Sequence, residues 1–291
     1  MNQKQLQKKG TLYIVATPIG NLDDISFRAV STLKNVDIIL TEDTRTSSFL
    51  LNHYQIKKKL ISYHHYNENE RIKQIEAWLN EGNHIALISD AGTPLISDPG
   101  YIIVNYLREN DFDVVPIPGP SATIAAISAS GLESDCFQFI GFLPVKEKQK
   151  EQALESIKNY NGTTIIYEAP HRILQTLFSI KKILGNERLL VLAKELTKQF
   201  ESFVLGNADE IIGWLEEDSL RQKGEFVLLI QKNKLDDKDK NNTKLDETLS
   251  LLLEDLPLKK AVKLSCHLLN LKKNQVYERA LELQKLIKNK D

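Results

Sequence analysis

Turn-forming and ionisable residues cluster directly behind several apolar runs of this sequence. The densest cluster spans residues 89–100, where Asp90 and Asp98 stand among two glycines and two prolines after the apolar run 85–88. Glycine lets backbone approach a ligand closely, proline fixes the path of a loop, and an aspartate behind a strand can accept hydrogen bonds from ligand hydroxyl or amino groups. The segment therefore predicts a binding loop.

The loop at residues 16–22 also follows an apolar run, but its composition argues against a phosphate-binding glycine loop. It contains Gly20 as its single glycine, and it contains Pro18, which has no N–H to donate to a phosphate. The loop matches neither GxGxxG nor GxxxxGK(S/T). The dehydrogenase and P-loop classes therefore lose their main sequence support.

Two more loops carry residues suited to a ligand. Residues 41–45 end in Arg45, whose guanidinium favours a phosphate-bearing substrate, although the acids and threonine beside it are equally typical of helix capping. Residues 116–122 are rich in proline and glycine and place Ser121 and Ala122 at a helix start. Small residues there leave room for a flat ligand against exposed N–H groups, although packing alone could also explain them.

Ionisable residues follow strands in the second half of the chain as well, at residues 167–172 and 193–201. His171 could act as an acid or base, or could simply hydrogen-bond a helix start. Residues 63–68 supply rings and donors that could stack on bases or fill a strand end. The histidines lack a paired carboxylate at a convincing spacing, so no metal is expected.

Short β-rich runs alternate with amphipathic stretches along most of the chain, which predicts an α/β fold with two layered units. The near-continuous apolar character of the first runs indicates a mainly parallel sheet with helices on both faces. Strands are predicted at 12–16, 36–40, 59–63, 85–89, 114–117, 137–142, 163–167, 189–193, 202–205 and 226–230. Helices are predicted to begin near Ser26, Thr44, Asn67, Pro99 and Pro120, and to span 149–158, 173–184 and 208–217.

This pattern divides the chain into a disordered N-terminus at 1–10, α/β domains at 11–132 and 133–232, a linker at 233–246, and a basic helical tail at 247–291. The linker is predicted because its Lys, Asp and Asn composition cannot bury much apolar surface. The tail shows two helical patterns joined by a polar turn. That shape is typical of a helix-turn-helix nucleic-acid element, but an ordinary helical hairpin gives the same pattern.

Composition narrows the class of protein further. The chain of 291 residues is 42% hydrophobic and 26% charged, as expected of a globular protein large enough for two domains. Its two cysteines, Cys136 and Cys266, suggest neither a disulfide framework nor a zinc site, so a cytoplasmic location is expected. No signal peptide or membrane span is expected. Residues 256–291 hold nine Lys or Arg against three acids, which fits either nucleic-acid binding or a solvated helix face.

With these loops assembled, the chain strongly resembles the ribosomal RNA small subunit methyltransferase I family of the tetrapyrrole methylase superfamily. The resemblance covers essentially the whole chain, because the basic tail also looks like the C-terminal element of that family. The motifs that carry it are TPIGNL (17–22), EDTR (42–45), SDAGTPLISDPG (89–100), PGPSA (118–122), GFLPVK (141–146), YEAPHR (167–172), ELTKQFE (195–201) and KGEFVLLI (223–230).

The resemblance implies two α/β domains of tetrapyrrole-methylase type with the cofactor cleft between them, plus a small helical C-terminal element. It implies transfer of a methyl group from S-adenosylmethionine to the ribose 2′-hydroxyl of a cytidine in the decoding region of 16S rRNA. The expected partners are 16S rRNA or the 30S subunit and a second copy in a homodimer. The residues matching the cofactor-binding pattern are Ile19, Asp90, Ala91, Gly92, Thr93, Ser121, Ala122, Tyr167, Gly224 and Glu225.

The reaction requires the ribose oxygen to be aligned with the methyl group and one proton to be removed. Candidates for handling the proton are Lys194, Glu195, Glu168 and Asp43, although a lysine acts as a base only after losing its own proton. Candidates for RNA contact are Arg45, His64, Arg172 and Lys198. The chain departs from the family by placing Tyr66 where members often have a histidine, and a tyrosine is a poor base at neutral pH.

Two alternatives remain open from the sequence. One is a C-methyltransferase acting on a tetrapyrrole with the same fold and cofactor, against which the basic tail and the EDTR and YEAPHR motifs argue. The other is a non-catalytic RNA-binding factor that keeps the fold, against which the intact loops at 89–100 and 118–122 argue.

Overall fold

The computed structural model describes residues 9–233, 237–269, 271 and 273–288. Its internal contacts divide the chain into two compact units, residues 1–232 and residues 233–291. The predicted disordered N-terminus at 1–10 lies outside the described residues except for Lys9 and Gly10. The Gly10 N–H donates to the carbonyl of Leu79 over 2.7 Å, so the chain is already held at that point.

Five parallel strands form the first sheet, in the order β3-β2-β4-β1-β5. Its helices alternate with the strands, as a parallel sheet requires for its crossovers. The strands are β1 (Thr11–Val15), β2 (Ile38–Thr41), β3 (Lys59–Ser62), β4 (Ile85–Ile88) and β5 (Asp113–Ile117), and the helices are α1 (Phe27–Asn35), α2 (Thr44–His53), α3 (Glu68–Asn80), α4 (Tyr101–Glu109) and α5 (Ala122–Ala129).

Helices cover both faces of this sheet, which explains its uninterrupted apolar strands. On one face α3 and α4 bury Ile75 and Leu107 against β1, β2 and β4, and on the other α1 and α2 bury Leu33 and Leu51. Because both faces are closed, the exposed polar backbone of the unit lies in the loops at the strand ends.

A mixed sheet follows, in the order β6-β7-β10-β8-β9, with β6 parallel to β7 and the remaining neighbours antiparallel. Helices α6, α7 and α8 pack on one face, and α5 packs on the other through Ala126 and Ile127. The elements are β6 (Phe137–Phe142), α6 (Glu147–Ile157), β7 (Thr163–Glu168), α7 (Ile173–Leu184), β8 (Leu190–Lys194), β9 (Ser202–Gly206), α8 (Ala208–Glu216) and β10 (Phe226–Ile230).

The α/β class and the ten predicted strands are confirmed, each strand beginning and ending within two residues of its predicted bounds. The predicted helix starts agree equally closely. Helix α5 joins the two layers because it follows the last strand of the first sheet yet packs on the second.

The second unit consists of three helices, α9 (Asp237–Asp255), α10 (Leu258–Leu269) and α11 (Lys273–Lys288). The two predicted tail helices correspond to α10 and α11, but residues 237–246 of the predicted linker lie in α9 instead. Leu245 and Leu249, one helical turn apart, are buried against Val262 and Val276. This burial stabilises a helix that the polar composition of its first half disfavours. Within the part of the chain described here, no helix is long and apolar enough to cross a membrane.

Candidate functional site

Three loops of the first sheet are hydrogen-bonded to one another at the carboxyl ends of its strands. Thr17 and Gly92 exchange backbone hydrogen bonds of 2.8 and 3.0 Å. The Thr17 hydroxyl donates to the carbonyl of Ser89, and the Thr93 hydroxyl donates to the carbonyl of Pro120 over 3.0 Å. The loops at 16–22, 89–100 and 116–122 therefore act as one wall.

The middle loop of this wall contains backbone that is unusual for ordinary residues. Gly92 has φ +83°, and a side chain there would point toward Ile19, whose Cγ2 lies 3.4 Å from the position of a Cβ. Leu95 and Ser97 also have positive φ, at 73° and 70°. Such conformations persist only where the surrounding structure enforces them, and they cluster at ligand sites.

A cavity of about 360 Å³ lies between this wall and the second sheet. Its volume falls in the range of small-molecule and cofactor sites, roughly 300–1,000 Å³. Eight of the ten residues predicted to bind a cofactor line it, namely Ile19, Ala91, Gly92, Thr93, Ser121, Ala122, Tyr167 and Glu225. The lining residues not chosen from the sequence as cofactor ligands are Ile96, Ser97, Asp98, Phe142, Glu168, Ala169, Pro170, Phe226 and Val227.

The other two predicted cofactor residues lie elsewhere. Asp90 lines a smaller neighbouring cavity. Gly224 lies so close to Glu195 that a Cβ at Gly224 would stand 2.5 Å from the Glu195 Oε1 atom. A glycine is therefore required at this position by the close approach of the loop that contains Glu195. Asp98 could have been chosen from the sequence, since it stands in the same loop as Asp90 and both acids occur in a Ser-Asp-x-Gly sequence.

Aromatic side chains form the far wall of the larger cavity. The Tyr167 ring lies 4.7 Å from that of Phe139 and 5.8 Å from that of Phe142. Its hydroxyl is 2.8 Å from the Thr123 hydroxyl at the start of α5. Burial raises the pKa of Tyr167, so the phenol stays protonated at neutral pH. The wall combines a flat apolar surface with one fixed hydroxyl.

Glu168 and Arg172, predicted for proton handling and for RNA contact, bind each other. The buried Glu168 carboxylate accepts from the Arg172 Nε atom over 3.1 Å and from the Thr176 hydroxyl over 2.6 Å. Arg172 also donates to the carbonyl of Leu143 over 2.6 Å. The guanidinium is therefore directed inward, where it joins Glu168 to the backbone at Leu143. This placement differs from the predicted role of Arg172 in contacting phosphates.

The charged side chains of the loop after β8 also pair with one another. Glu195 accepts from the Lys198 Nζ atom over 2.9 Å and from the Glu225 backbone N–H over 2.8 Å. Burial alone would lower the pKa of Lys198, but its hydrogen bonds to Glu195 and Glu225 raise it overall. Lys198 stays charged yet is paired with two carboxylates. Lys194, the last residue of β8, is almost fully buried.

Acidic residues cluster around loop 41–45, at the carboxyl end of β2. Asp43 caps α2 and pairs with Arg45, and the hydrogen bond from Arg45 lowers the pKa of Asp43 to about 2. A carboxylate held this strongly in its charged form is a poor proton acceptor. The Arg45 side chain is 89% exposed and can still reach a ligand.

Asp98 has the opposite perturbation, a raised pKa, as do its neighbours Glu42 and Asp90. Burial, followed by the repulsion of Glu42 and Asp90, raises its pKa to about 6 against a hydrogen bond from Ser89. Because Asp98 lines the larger cavity, the charge of that cavity changes between about pH 5 and pH 7.

We expect Asp98→Asn to become more stable relative to the wild type as the pH rises from 5 to 7.5. The raised pKa means that ionisation of Asp98 costs stability in the folded state; this loss accumulates between the unfolded-state pKa of about 4 and the folded-state pKa of about 6, and it levels off at higher pH. Urea unfolding at each pH measures the difference. Asp43→Asn is the matched control, since an acid with a pKa of about 2 is ionised throughout this range and its difference should stay constant. A flat difference for Asp98→Asn would contradict the assignment.

The third-strand loop is held by Asn67. Its side chain accepts from the His64 backbone N–H over 2.9 Å and lies 3.3 Å from the His64 Nε2 atom. The His64 Nδ1 atom is buried without a hydrogen-bond partner among the described residues. Tyr66 is 95% exposed, as a surface contact residue would be. Across the described ranges, no three acidic, histidine or cysteine side chains are grouped so that they could hold a metal ion.

Two family models match this chain. The model of the tetrapyrrole (corrin/porphyrin) methylases matches residues 11–212, and the model of the RsmI C-terminal HTH domain matches residues 239–284. A ribosomal RNA small subunit methyltransferase I from Escherichia coli O157:H7 is 46% identical over 283 residues, which cover 97% of this chain and 99% of that protein. One from Haemophilus influenzae is 48% identical over 270 residues, covering 92% of this chain and 95% of that protein.

Solved structures share the fold at low identity. A diphthine synthase superposes with a TM-score of 0.58 at 14% identity, covering 77% of this chain and 90% of that chain. A cobalt precorrin-4 methyltransferase superposes with a TM-score of 0.55 at 16% identity, covering 76% of this chain and 94% of that chain. The shared fold is that of the two-sheet unit.

Proposed function

This chain belongs to the ribosomal RNA small subunit methyltransferase I family of the tetrapyrrole methylases, and we propose that it methylates the ribose 2′-hydroxyl of a cytidine in the decoding region of 16S rRNA. The family uses S-adenosylmethionine, which supplies an activated methyl group when bound. The observation that carries the proposal is the cavity. Three loops that are hydrogen-bonded to one another close it on one side, and Tyr167 and Phe142 close it on the other.

The residues of this cavity suit S-adenosylmethionine. Its wall offers backbone at Ala91 and Gly92, small side chains at Ser121 and Ala122, and the flat Tyr167 ring. Small residues and exposed backbone groups let a nucleoside approach the wall closely, and an aromatic ring can stack on its base. We propose the eight predicted residues that line the cavity as the cofactor site.

We propose that this chain contributes to catalysis mainly by positioning. Holding two reactants in line can supply roughly 7–11 kcal/mol of the barrier, whereas a general base contributes a factor of about 10² to 10⁴. Of the three carboxylates lining the cavity, Glu168 binds Arg172 and Glu225 binds Lys198. Asp98 forms no ion pair with any described residue, so we propose it as the acceptor of the ribose proton. Lys194 and Glu195, the candidates for proton handling that the sequence also named, stay predictions.

The decisive experiment is methylation of 16S rRNA or 30S subunits with radiolabelled S-adenosylmethionine. Label should appear in RNA at one cytidine, and the adjacent linkage should resist alkaline cleavage because the 2′-oxygen is blocked. Assaying naked rRNA and assembled subunits separately identifies the substrate form. Label appearing only in a porphyrinoid, or no transfer despite bound cofactor, would reject the proposal.

We propose that the helical unit contributes to RNA affinity through a basic groove between α10 and α11. Lys259, Lys263 and Lys273 line this groove with His267 and Tyr277. Lysines that bind a phosphate backbone release the counterions of the nucleic acid, and a tyrosine ring can stack on any base.

Changing these three lysines to glutamine should weaken RNA binding and lower the slope of log affinity against log salt by roughly 2 to 3, about one per lost phosphate contact. Filter binding at several salt concentrations measures both quantities. Glutamine at the exposed Lys34, Lys57 and Lys148 removes the same charge elsewhere and should leave the slope unchanged. Equal slopes for the two triple variants would contradict the assignment.

We propose a cytoplasmic homodimer. The cytoplasmic location is supported by the proposed rRNA substrate, and the dimer by apolar side chains on the edge strand β9. Phe203 and Leu205 pair with Ala193 and Val191 and lie on the α5 face of the second sheet, where they remain 36% and 62% exposed. Light scattering of the full chain should give twice the 33.1 kDa monomer mass.

A further inference from the structure

A second cavity adjoins the proposed cofactor site within the same unit. Its volume is about 220 Å³, below the range of roughly 300–1,000 Å³ that drug-sized ligands occupy. It shares three residues with the larger cavity, Ile19, Ala91 and Glu225. The two spaces therefore meet at a common wall, and a ligand in one lies beside a ligand in the other.

We propose that this second cavity, lined by Phe49 and Asp90, receives the base of the target nucleotide and selects cytosine. The inference rests on the proposed function, since it requires a ribose whose 2′-hydroxyl is methylated. Enzymes that do chemistry on a base take it out of the stack into a pocket of apolar and aromatic side chains, and we extend this docking to an enzyme that acts on the attached ribose. A base held here places its sugar at the common wall, next to the methyl donor.

Phe49 provides the stacking surface. Its side chain is 69% exposed and lines the cavity, so the ring is accessible to a ligand. Pro18 and Leu22 supply further apolar lining. Phe49 also lies one helical turn after Arg45 on α2, so the two side chains project from the same face of that helix.

This pairing matches the two parts of a nucleotide. The Arg45 guanidinium is 89% exposed and suits a backbone phosphate, while the Phe49 ring suits the attached base. Lys198 lines another side of the cavity but is 29% exposed and paired with two carboxylates. Arg45 is paired with Asp43 but is far more exposed, so it is the better placed of the two cations.

Asp90 supplies the hydrogen-bond acceptor that distinguishes cytosine. One of its carboxylate oxygens accepts from the Asp43 backbone N–H over 3.2 Å, and Asp90 lines the cavity. The N4 amino group of cytosine donates a hydrogen bond that a carboxylate can accept. Uracil has a carbonyl oxygen at that position, and the carboxylate repels it. This role replaces the predicted part of Asp90 in cofactor binding.

The stacking role is tested by Phe49→Ala. Methylation of 30S subunits should lose about 5- to 150-fold in kcat/KM, the usual cost of one base–aromatic contact, while the affinity for S-adenosylmethionine measured by calorimetry stays within twofold. Phe49→Trp should retain most of the activity. Phe27→Ala is the matched control, because Phe27 on α1 is 96% exposed and lines neither of these two cavities.

The outcomes separate this inference from the proposed function. Absence of methylation by the wild type rejects the function itself. An active wild type with Phe49→Ala equal to Phe27→Ala rejects only the base cavity, as does a fall in cofactor affinity that matches the fall in activity.

Base selection is tested with 30S subunits that carry uridine in place of the target cytidine. The wild type should prefer cytidine by at least about fivefold, as expected of one base-edge hydrogen-bond pair. Asp90→Asn keeps an oxygen for the Asp43 N–H but gains an amide donor that uracil can accept, so the preference should fall toward equality while cofactor affinity is unchanged. An unaltered preference, or a loss of cofactor affinity in Asp90→Asn, overturns the assignment.

Discussion

Replacing Glu168 with alanine is expected to lower the free energy of unfolding by about 3–5 kcal/mol. The carboxylate is fully buried and accepts hydrogen bonds from Arg172, Thr176 and the backbone N–H of Ala169. Its removal leaves the Arg172 guanidinium, itself only 14% exposed, without its charge partner. Denaturant unfolding followed by circular dichroism measures the loss.

Glu155→Ala provides the control for this prediction. It removes an ion pair of the same i,i+3 or i,i+4 kind, with Lys158, but both side chains are more than 40% exposed. Exposed pairs contribute at most about 1 kcal/mol, so this variant should stay close to the wild type. If the two variants lost equal stability, the Glu168–Arg172 pair would not be the inward structural element described above.

The second large effect is expected for Gly92→Val, which should weaken S-adenosylmethionine binding by at least about tenfold, or about 1.4 kcal/mol. A β-branched residue at φ +83° is a conformational outlier, and its side chain would enter the cavity beside Ile19. Relieving that strain moves the strand-like contact with Thr17 that closes the three-loop wall. Calorimetric titration of the cofactor measures the change.

Gly131→Val separates loss of the site from backbone strain. Gly131 also has a positive φ, at 73°, but no atom lies within 4 Å of the position of its Cβ and it does not line the cavity. The control should lose stability of the order of 1–2 kcal/mol and keep its cofactor affinity. Equal loss of affinity in both variants would show that general destabilisation, and not the cavity, controls binding.

Strands and loops were predictable from local sequence in the two-sheet unit. Each strand of the first sheet is buried on both faces, so its apolar β-branched residues form short continuous runs bounded by glycine and proline. Helix α9 was not predictable in the same way. Its leucines at 245 and 249 stand near many charged residues, and only burial against α10 and α11 makes their spacing decisive.

The direction of charged side chains was the main feature that local sequence could not supply. Arg45, Arg172 and Lys198 all follow strands and all pair with a carboxylate, yet Arg45 is 89% exposed whereas Arg172 and Lys198 are 14% and 29% exposed. The Arg172–Glu168 and Lys198–Glu195 pairs join residues four and three positions apart, whereas the Lys198–Glu225 pair joins two loops far apart in sequence. A motif records that a cation and a nearby carboxylate are present, but not whether the folded chain buries the pair or leaves it in solvent.

By itself, the sequence determined the α/β class, the family, the cofactor and the loops that form the cavity, because these depend on short-range pattern and on motifs such as SDAGTPLISDPG. Only the tertiary structure separated the two acids of that motif. Asp98 lines the larger cavity and Asp90 the smaller one, although both follow the same strand. The reason is physical: the turns at Gly92, Leu95 and Ser97 and the contacts with Thr17 and Pro120 direct the chain past both cavities, and those contacts join residues far apart in sequence.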